Sequence, residues 1–198
     1  MKAYDTQSIR NLALLGHGTS GKTTITEAML RTSGATNRMG VIEDGNTHSD
    51  FLDDEISRQI SIGTTLIQTE ANGCKLNIVD TPGYADFIGE VICGIRVADI
   101  AGIVVDAVTG LEVGTETAWS LCEEQEKPLF FIINRAGKEH AEPNKVLDAL
   151  VERFGIHALP IQIPVNPGVG LDRIVDVIAM KEYAYELNGA GTGSASPS

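Results

Sequence analysis

This sequence of 198 residues has little of what defines several large classes of protein. Its three cysteines, Cys74, Cys93 and Cys122, are an odd number without metal-ligand spacing, which argues against a disulfide scaffold and against a zinc site. It contains no run of about 18 apolar residues, and residues 1–7 are polar, unlike a signal segment. We therefore expect a soluble cytoplasmic protein that does not associate with membranes.

Basic residues are scarce as well. The chain has 15 lysines and arginines against 27 aspartates and glutamates, for a formal net charge of −12. Such a surface repels the phosphate backbone of nucleic acids, so we expect no direct DNA binding, and contact with RNA only through a local basic patch. The four histidines are separated along the chain, and no Ser/His/Asp or Cys/His grouping has supporting context. A nucleophilic hydrolase is therefore not indicated.

What the sequence does contain is one complete phosphate-binding loop of the pattern G-x-x-x-x-G-K-[ST]. The apolar residues 12–15 before it predict a buried strand, and residues 25–30 after it predict a helix. A polyphosphate needs backbone N–H groups that are clear of side-chain bulk, and glycines next to a helix N-terminus provide them. The predicted nucleotide-binding residues of this loop are Gly16, His17, Gly18, Thr19, Ser20, Gly21, Lys22, Thr23 and Thr24.

Four side chains or backbone groups have separate predicted roles around the phosphates. The Lys22 ammonium supplies charge to the β- and γ-phosphates, and the Thr23 hydroxyl ligates Mg²⁺. Asp80 ends a predicted strand over residues 74–80, where its carboxylate can hold Mg²⁺ through water, and the Gly83 N–H can meet the γ-phosphate. Loss of that phosphate would release the segment that follows, which predicts a conformational switch. An ordinary turn is the alternative for this short D-x-x-G pattern.

The order of predicted elements indicates an α/β fold with three layers, of the P-loop nucleotide-hydrolase type. Alternating strands and helices favour a mostly parallel sheet with helices on both faces, and the Asn72-Gly73 turn predicts one antiparallel edge strand. We expect one domain over residues 1–187 and a flexible Gly/Ser-rich tail over 188–198. Besides those named above, the predicted strands cover residues 64–70, 100–106, 129–134 and 158–163, and the predicted helices cover residues 87–97, 115–126, 143–154 and 171–180.

Residues 32–63 show almost no sustained hydrophobic period. A segment of this length without regular structure inside a compact domain is usually functional or mobile, although an ordinary surface insertion is the alternative. Within it, Asp53, Asp54 and Glu55 are predicted to form a solvated acidic face.

Five stretches of the sequence together resemble the nucleotide-binding domain of translation elongation factor G: GHGTSGKTT, RQISIGTT, DTPGYADFIGEV, VVDAVTGLEVGTETAW and the stretch that ends in PIQIPV. The resemblance covers residues 8–187 and is closest to the elongation factor G-like branch. It implies a monomeric switch that binds GTP or GDP with Mg²⁺, hydrolyses GTP, and couples hydrolysis to translocation at the large-subunit GTPase-activating region of the ribosome. By position, Ser61 matches the switch-I hydroxyl that closes on Mg²⁺, with a strand-start serine as the alternative, and residues 80–83 match switch II.

The sequence departs from the family pattern at three places. Tyr84 stands where the main branch has a water-orienting histidine, and a phenol is a poor base at neutral pH, so we expect slow turnover with Lys22, Gly83 and Tyr84 as catalytic residues. In the place of the N-K-x-D motif, Asn134 and Arg135 are predicted to contact the base, but Gly137 offers no carboxylate to the guanine edge. The family's later S-A-[KL] loop has no counterpart, which predicts a domain truncated on its C-terminal side.

Three functions are compatible with these departures. The first is a Mg²⁺-dependent GTPase of the translational class, and the second is a nucleotide-dependent binding switch with little hydrolysis or relaxed base specificity. The third is a general P-loop ATPase, which the missing carboxylate at Gly137 permits and the family resemblance disfavours.

Overall fold

The computed structural model describes residues 3–187 and 193–197. Two units divide the chain: Met1–Val105 with Glu112–Ile132, and Asp106–Leu111 with Ile133–Ser198. The first unit holds the phosphate loop and most of a five-stranded sheet, and the second holds one long helix and a four-stranded sheet. None of the helices within the described residues is long and apolar enough to cross a membrane.

The five-stranded sheet is mostly parallel, in the order β2-β3-β1-β4-β5. The first strand runs parallel to the third and to the fourth, whereas the second and third strands form an antiparallel hairpin at the edge. The predicted fold class is therefore confirmed. The strands are β1 (Ile9–Gly16), β2 (Thr65–Ala71), β3 (Cys74–Asp80), β4 (Ile100–Asp106) and β5 (Leu129–Asn134).

Strand register brings the predicted phosphate-binding and metal-binding residues of the first unit to one edge of this sheet. Leu14 of β1 pairs with Asp80 of β3, and Gly16, where β1 ends, pairs with Val104 of β4. Because the carboxyl ends of parallel strands meet at the same edge, the phosphate loop and the carboxylate of Asp80 emerge side by side.

Both faces of the sheet are covered. Leu14 and Leu15 are consecutive in β1 and so point to opposite faces, yet both are fully buried. On one face Leu14 packs in a cluster with Leu12, Leu30 and Ile78, to which α1 contributes Leu30. The helices of this unit are α1 (Lys22–Thr32), α2 (Asp53–Arg58), α3 (Ile88–Val97) and α4 (Val113–Glu124).

The second unit contains α5 (Pro143–Phe154), which begins at a proline in its first turn and ends at Gly155 with a left-handed φ of 62°. Its sheet is antiparallel throughout, in the order β6-β7-β8-β9. The strands are β6 (Gln162–Pro164), β7 (Arg173–Asp176), β8 (Lys181–Leu187) and β9 (Gly193–Pro197).

The helix predicted over residues 171–180 is wrong, because the segment forms β7 and a turn. Its apolar spacing fits a helix, but the β-branched residues Ile174 and Val175 pair with β8 instead. The Asp176 carboxylate accepts the N–H of Ala179, which closes the turn locally. The strand predicted over 158–163 begins later, at Gln162.

The predicted tail falls partly outside the described residues, which omit 188–192 and 198. Residues 193–197 pair with β8 as β9. The domain boundary at residue 187 stays a prediction.

The burial of a core side chain predicts how much it contributes to the free energy of unfolding. Leu14→Ala removes buried methyl groups from a cluster on the sheet, so we expect the free energy of unfolding to fall by about 2–5 kcal/mol in denaturant titrations. Leu66, on β2 of the same sheet, is 59% exposed. Leu66→Ala serves as the matched control, with a change of about 0.5 kcal/mol or less. Equal effects of the two substitutions would contradict this assignment of the core.

Candidate functional site

The phosphate loop connects β1 to α1 through a backbone conformation that favours glycine. Gly21 has a left-handed φ of 93° and lies directly before the first residue of α1. Within the loop, the Ser20 hydroxyl donates a 2.9 Å hydrogen bond to the His17 carbonyl, while the His17 ring lies 3.6 Å from the Glu112 carboxylate. Thr19 and Thr24 are exposed. The loop therefore has the strand-to-helix setting that its sequence predicts.

Lys22 places a positive charge inside this loop. Its side chain is only 4% exposed, and its ammonium donates hydrogen bonds to the carbonyls of Gly16 and His17 at 3.0 and 2.8 Å. Burial lowers the pKa of Lys22 to about 8, although the nearby carboxylates of Asp80 and Asp50 favour its charged form. An anion bound at the loop would offset this cost of burial, so the site is suited to phosphate.

A second cluster, the hydroxyl and carboxylate groups of Thr23, Ser61 and Asp80, has the chemistry of a Mg²⁺ site. The hydroxyl oxygens of Thr23 and Ser61 lie 3.3 Å apart. Asp80 is 2% exposed, and in the described part of the chain neither of its carboxylate oxygens has a partner in hydrogen-bonding geometry. Hydroxyl and carboxylate oxygens are ligands that Mg²⁺ prefers, so these residues fit the ion.

Burial also shifts the pKa of Asp80. Desolvation raises it to about 6, while the Ser49 hydroxyl, the Lys22 ammonium and the Thr23 hydroxyl favour the charged form. A carboxylate held this way gains from a bound cation. Among the described residues no group of three or more His, Cys, Asp or Glu side chains forms a metal cluster, so hydroxyl and phosphate oxygens would complete the coordination.

Sequence analysis missed Ser49 and Asp50, which are buried beside this cluster. Ser49 Oγ and Asp50 Oδ1 have no hydrogen-bond partner within the residues described. Burial raises the pKa of Asp50, whereas the Ser61 hydroxyl lowers it. No periodic signal marks these residues, because the segment around them lacks regular structure.

Buried carboxylates hold the segment over residues 32–63 in place. Glu27 of α1 is fully buried and accepts the backbone N–H groups of Gly40 and His48, and its carboxylate also contacts the His48 ring. The predicted acidic face is only partly solvated, since Asp53 and Asp54 are exposed but Glu55 is 1% exposed.

Switch II lies directly against the phosphate loop. A Cβ atom built on Gly83 would stand 2.5 Å from Gly18 Cα and from Lys22 Nζ, so only glycine permits this approach. The Tyr84 ring faces Gly18 and is 36% exposed. The Thr81 hydroxyl anchors the segment by donating a hydrogen bond to the Leu14 carbonyl at 2.7 Å. The structure thus brings the predicted residues Gly83 and Tyr84 to the loop.

The residues predicted to read the base lie in the second unit. Asn134 ends β5, and its side-chain oxygen accepts the Arg135 N–H at 2.8 Å. The Arg135 guanidinium pairs with the buried Asp106 carboxylate at 2.5 Å. This pair occupies the charged end of Arg135.

Gly137 has space beside it. A Cβ atom at this residue would meet Leu171 at 3.7 Å, an ordinary contact distance. The absence of a carboxylate at residue 137 is therefore a matter of sequence, and the backbone there would accept an aspartate.

The sequence of this chain is similar to those of known elongation factors. Elongation factor G of Granulibacter bethesdensis is 33% identical over 186 residues, an alignment that covers 94% of this chain and 27% of that protein. Elongation factor G 2 of Treponema pallidum is 35% identical over 185 residues, which cover 93% of this chain and 27% of that protein. The chain thus spans about a quarter of the length of these relatives.

Structural and family comparisons lead to the same conclusion. A solved crystal structure of a Thermus thermophilus protein superposes with a TM-score of 0.84 at 34% identity, over 96% of this chain and 28% of that one. The Elongation factor Tu GTP binding domain matches residues 7–190. The predicted resemblance to a translational GTPase is confirmed, and this chain belongs to the family of the elongation factor Tu GTP binding domain.

Proposed function

We propose that this chain binds GTP and GDP with Mg²⁺ and hydrolyses GTP as the nucleotide domain of an elongation factor G-like protein. The observation that carries the proposal is the buried Lys22 ammonium with the buried carboxylate of Asp80 near it. One group is suited to phosphate oxygens and the other to a cation, as a Mg²⁺ nucleotide requires.

The chain's own residues divide the work of hydrolysis. Lys22 holds the β- and γ-phosphates and stabilises the charge that develops between them, and the Gly83 N–H donates to the γ-phosphate. The Tyr84 hydroxyl orients the attacking water without serving as its base. Thr23, Ser61 and Asp80 would hold Mg²⁺, which would neutralise charge on the phosphates. Turnover by this chain alone is slow, because a phenol is a poor general base.

The partner that completes the reaction is the ribosome, through its large-subunit GTPase-activating region. The proposal rests on the elongation factor G relatives, whose names assign them to translation. The chain acts there as a monomeric cytoplasmic switch in translocation, and switch II changes conformation when the γ-phosphate leaves.

Relaxed base specificity is a second candidate property, and Gly137 is the observation that favours it. A carboxylate at this position would accept two hydrogen bonds from the guanine edge, and a glycine accepts none. GTP, xanthosine triphosphate and ATP should therefore compete more evenly than at a site that has the aspartate.

Removal of the buried ammonium tests the placement of the phosphates. Lys22→Ala should weaken GTP and GDP binding by about 10- to 100-fold, because it deletes a charge-assisted contact. Titration calorimetry with Mg²⁺ measures the loss. Lys145→Ala is the control, since its ammonium is exposed and pairs with Glu142 on the surface, and it should leave the affinity unchanged. Unchanged binding by Lys22→Ala would contradict the phosphate assignment.

The lowered pKa of Lys22 predicts a pH dependence of binding. Below the free-state pKa of about 8 Lys22 is already charged, so its own contribution to the affinity is constant. Above this pKa, Lys22 must take up a proton when the phosphates bind. GTP affinity should then fall by up to about tenfold per pH unit. Calorimetry in buffers of different ionisation enthalpy should detect proton uptake on binding above about pH 8. Affinity that stays constant to about pH 9.5 would contradict a proton-linked Lys22.

Restoring the carboxylate tests how the base is read. Gly137→Asp should raise the preference for GTP over ATP by at least about tenfold, because a bidentate contact forms beside Leu171 without steric conflict. Competition of ATP and xanthosine triphosphate against labelled GTP measures the preference. Asn144→Asp, at an exposed position of α5, serves as a control for added charge. An unchanged ratio in Gly137→Asp would place base reading elsewhere.

A further inference from the structure

The loop that carries Ser61 lies between α2 and β2 and has no helix or strand of its own. One residue of α2, Glu55, makes several hydrogen bonds to this loop. This side chain is 1% exposed, although the neighbouring residues of its short helix, including Asp53 and Asp54, are exposed. A buried carboxylate must find donors, so its partners show what it holds.

Glu55 accepts hydrogen bonds from the loop on both sides of Ser61. Its Oε1 atom accepts the backbone N–H groups of Ile62 and Gly63 at 3.0 and 3.1 Å. Its own carbonyl oxygen accepts the N–H of Ile60 at 3.2 Å. The residues immediately before and after Ser61 are therefore both hydrogen-bonded to the same glutamate.

The second carboxylate oxygen of Glu55 has a different task. Oε2 accepts the N–H of Leu52 at 3.2 Å, which caps the first turn of α2. No ion pair of Glu55 with a lysine or arginine occurs in the described residues. Its negative charge is instead satisfied by the backbone N–H groups of Leu52, Ile62 and Gly63.

These hydrogen bonds hold the Ser61 hydroxyl in a defined position. Ser61 Oγ lies 3.3 Å from Thr23 Oγ1, across a separation of 38 residues in sequence. A hydroxyl ligand contributes more to metal binding when the backbone that carries it is held in place before binding. Glu55 supplies that support through its hydrogen bonds to the backbone of Ile62 and Gly63.

We propose that Glu55 is the positioning residue that sets Ser61 toward Mg²⁺ and the γ-phosphate, and so gives the chain its preference for triphosphate over diphosphate. This assignment rests on the proposed function. It concerns the support of Ser61, and it separates two roles of one carboxylate: Oε1 holds the Ser61 loop, and Oε2 caps α2.

The test compares the affinities of a non-hydrolysable GTP analogue and of GDP in the full chain with Mg²⁺. Glu55→Ala should weaken analogue binding by about tenfold or more and change GDP binding by less than about twofold. Glu55→Gln keeps an acceptor oxygen and should lose no more than about threefold. Asp54→Ala is the matched control on the same helix, because that acidic side chain is exposed, and it should alter neither affinity.

Three further measurements separate positioning from simple loss of structure. Ser61→Ala should cost the analogue as much as Glu55→Ala, and the double variant should add nothing, since both act on one contact. Hydrogen exchange without nucleotide should show faster exchange at Ile62 and Gly63 in Glu55→Ala and unchanged exchange in β3. If Glu55→Ala does not fold, Glu55→Met fills the same space without an acceptor and should give the same selective loss.

The possible results lead to different conclusions. Equal loss of analogue and GDP affinity, or no loss of either, in variants that keep their fold overturns the assignment of Glu55 while wild-type binding upholds the proposed function. A wild-type chain that binds neither nucleotide overturns the proposed function and this assignment together.

Discussion

A buried lysine ammonium is the constraint on which the first unit depends. Lys22 is 4% exposed and is held by two backbone carbonyls of the loop that precedes it. Burial lowers its pKa to about 8, so the protein carries a charge whose desolvation a bound polyphosphate offsets. The parallel strands place Asp80 near it at the same edge of the sheet, so a cationic and an anionic group lie together there.

Buried acidic side chains also hold the segment over residues 32–63 in place. Two glutamates, Glu27 and Glu55, lie inside the protein and accept backbone N–H groups from this segment. Each anchors residues that share no secondary structure with it. Order in this segment thus comes in large part from side-chain acceptors rather than from a hydrophobic pattern.

In the second unit, charge pairing shapes the residues assigned to the base. Arg135 is drawn to the buried Asp106, and Gly137 leaves open space next to Leu171. A lysine in this place would offer one ammonium, whereas the planar guanidinium of Arg135 forms a directed pair with a carboxylate. The residues predicted to bind phosphate lie in the first unit, and those predicted to read the base lie in the second.

The sequence alone determined the phosphate loop, the succession of strands β1 to β5 along the chain and the edge hairpin, because glycine spacing, apolar runs and turn residues are local signals. Tertiary structure decided the rest. Residues 171–180 have helical apolar spacing but became β7 and a turn, since pairing with β8 outweighs a local period. The burial of Glu55, Ser49 and Asp50 was invisible in the sequence, because a polar side chain goes inside only where distant backbone groups or ligands satisfy it.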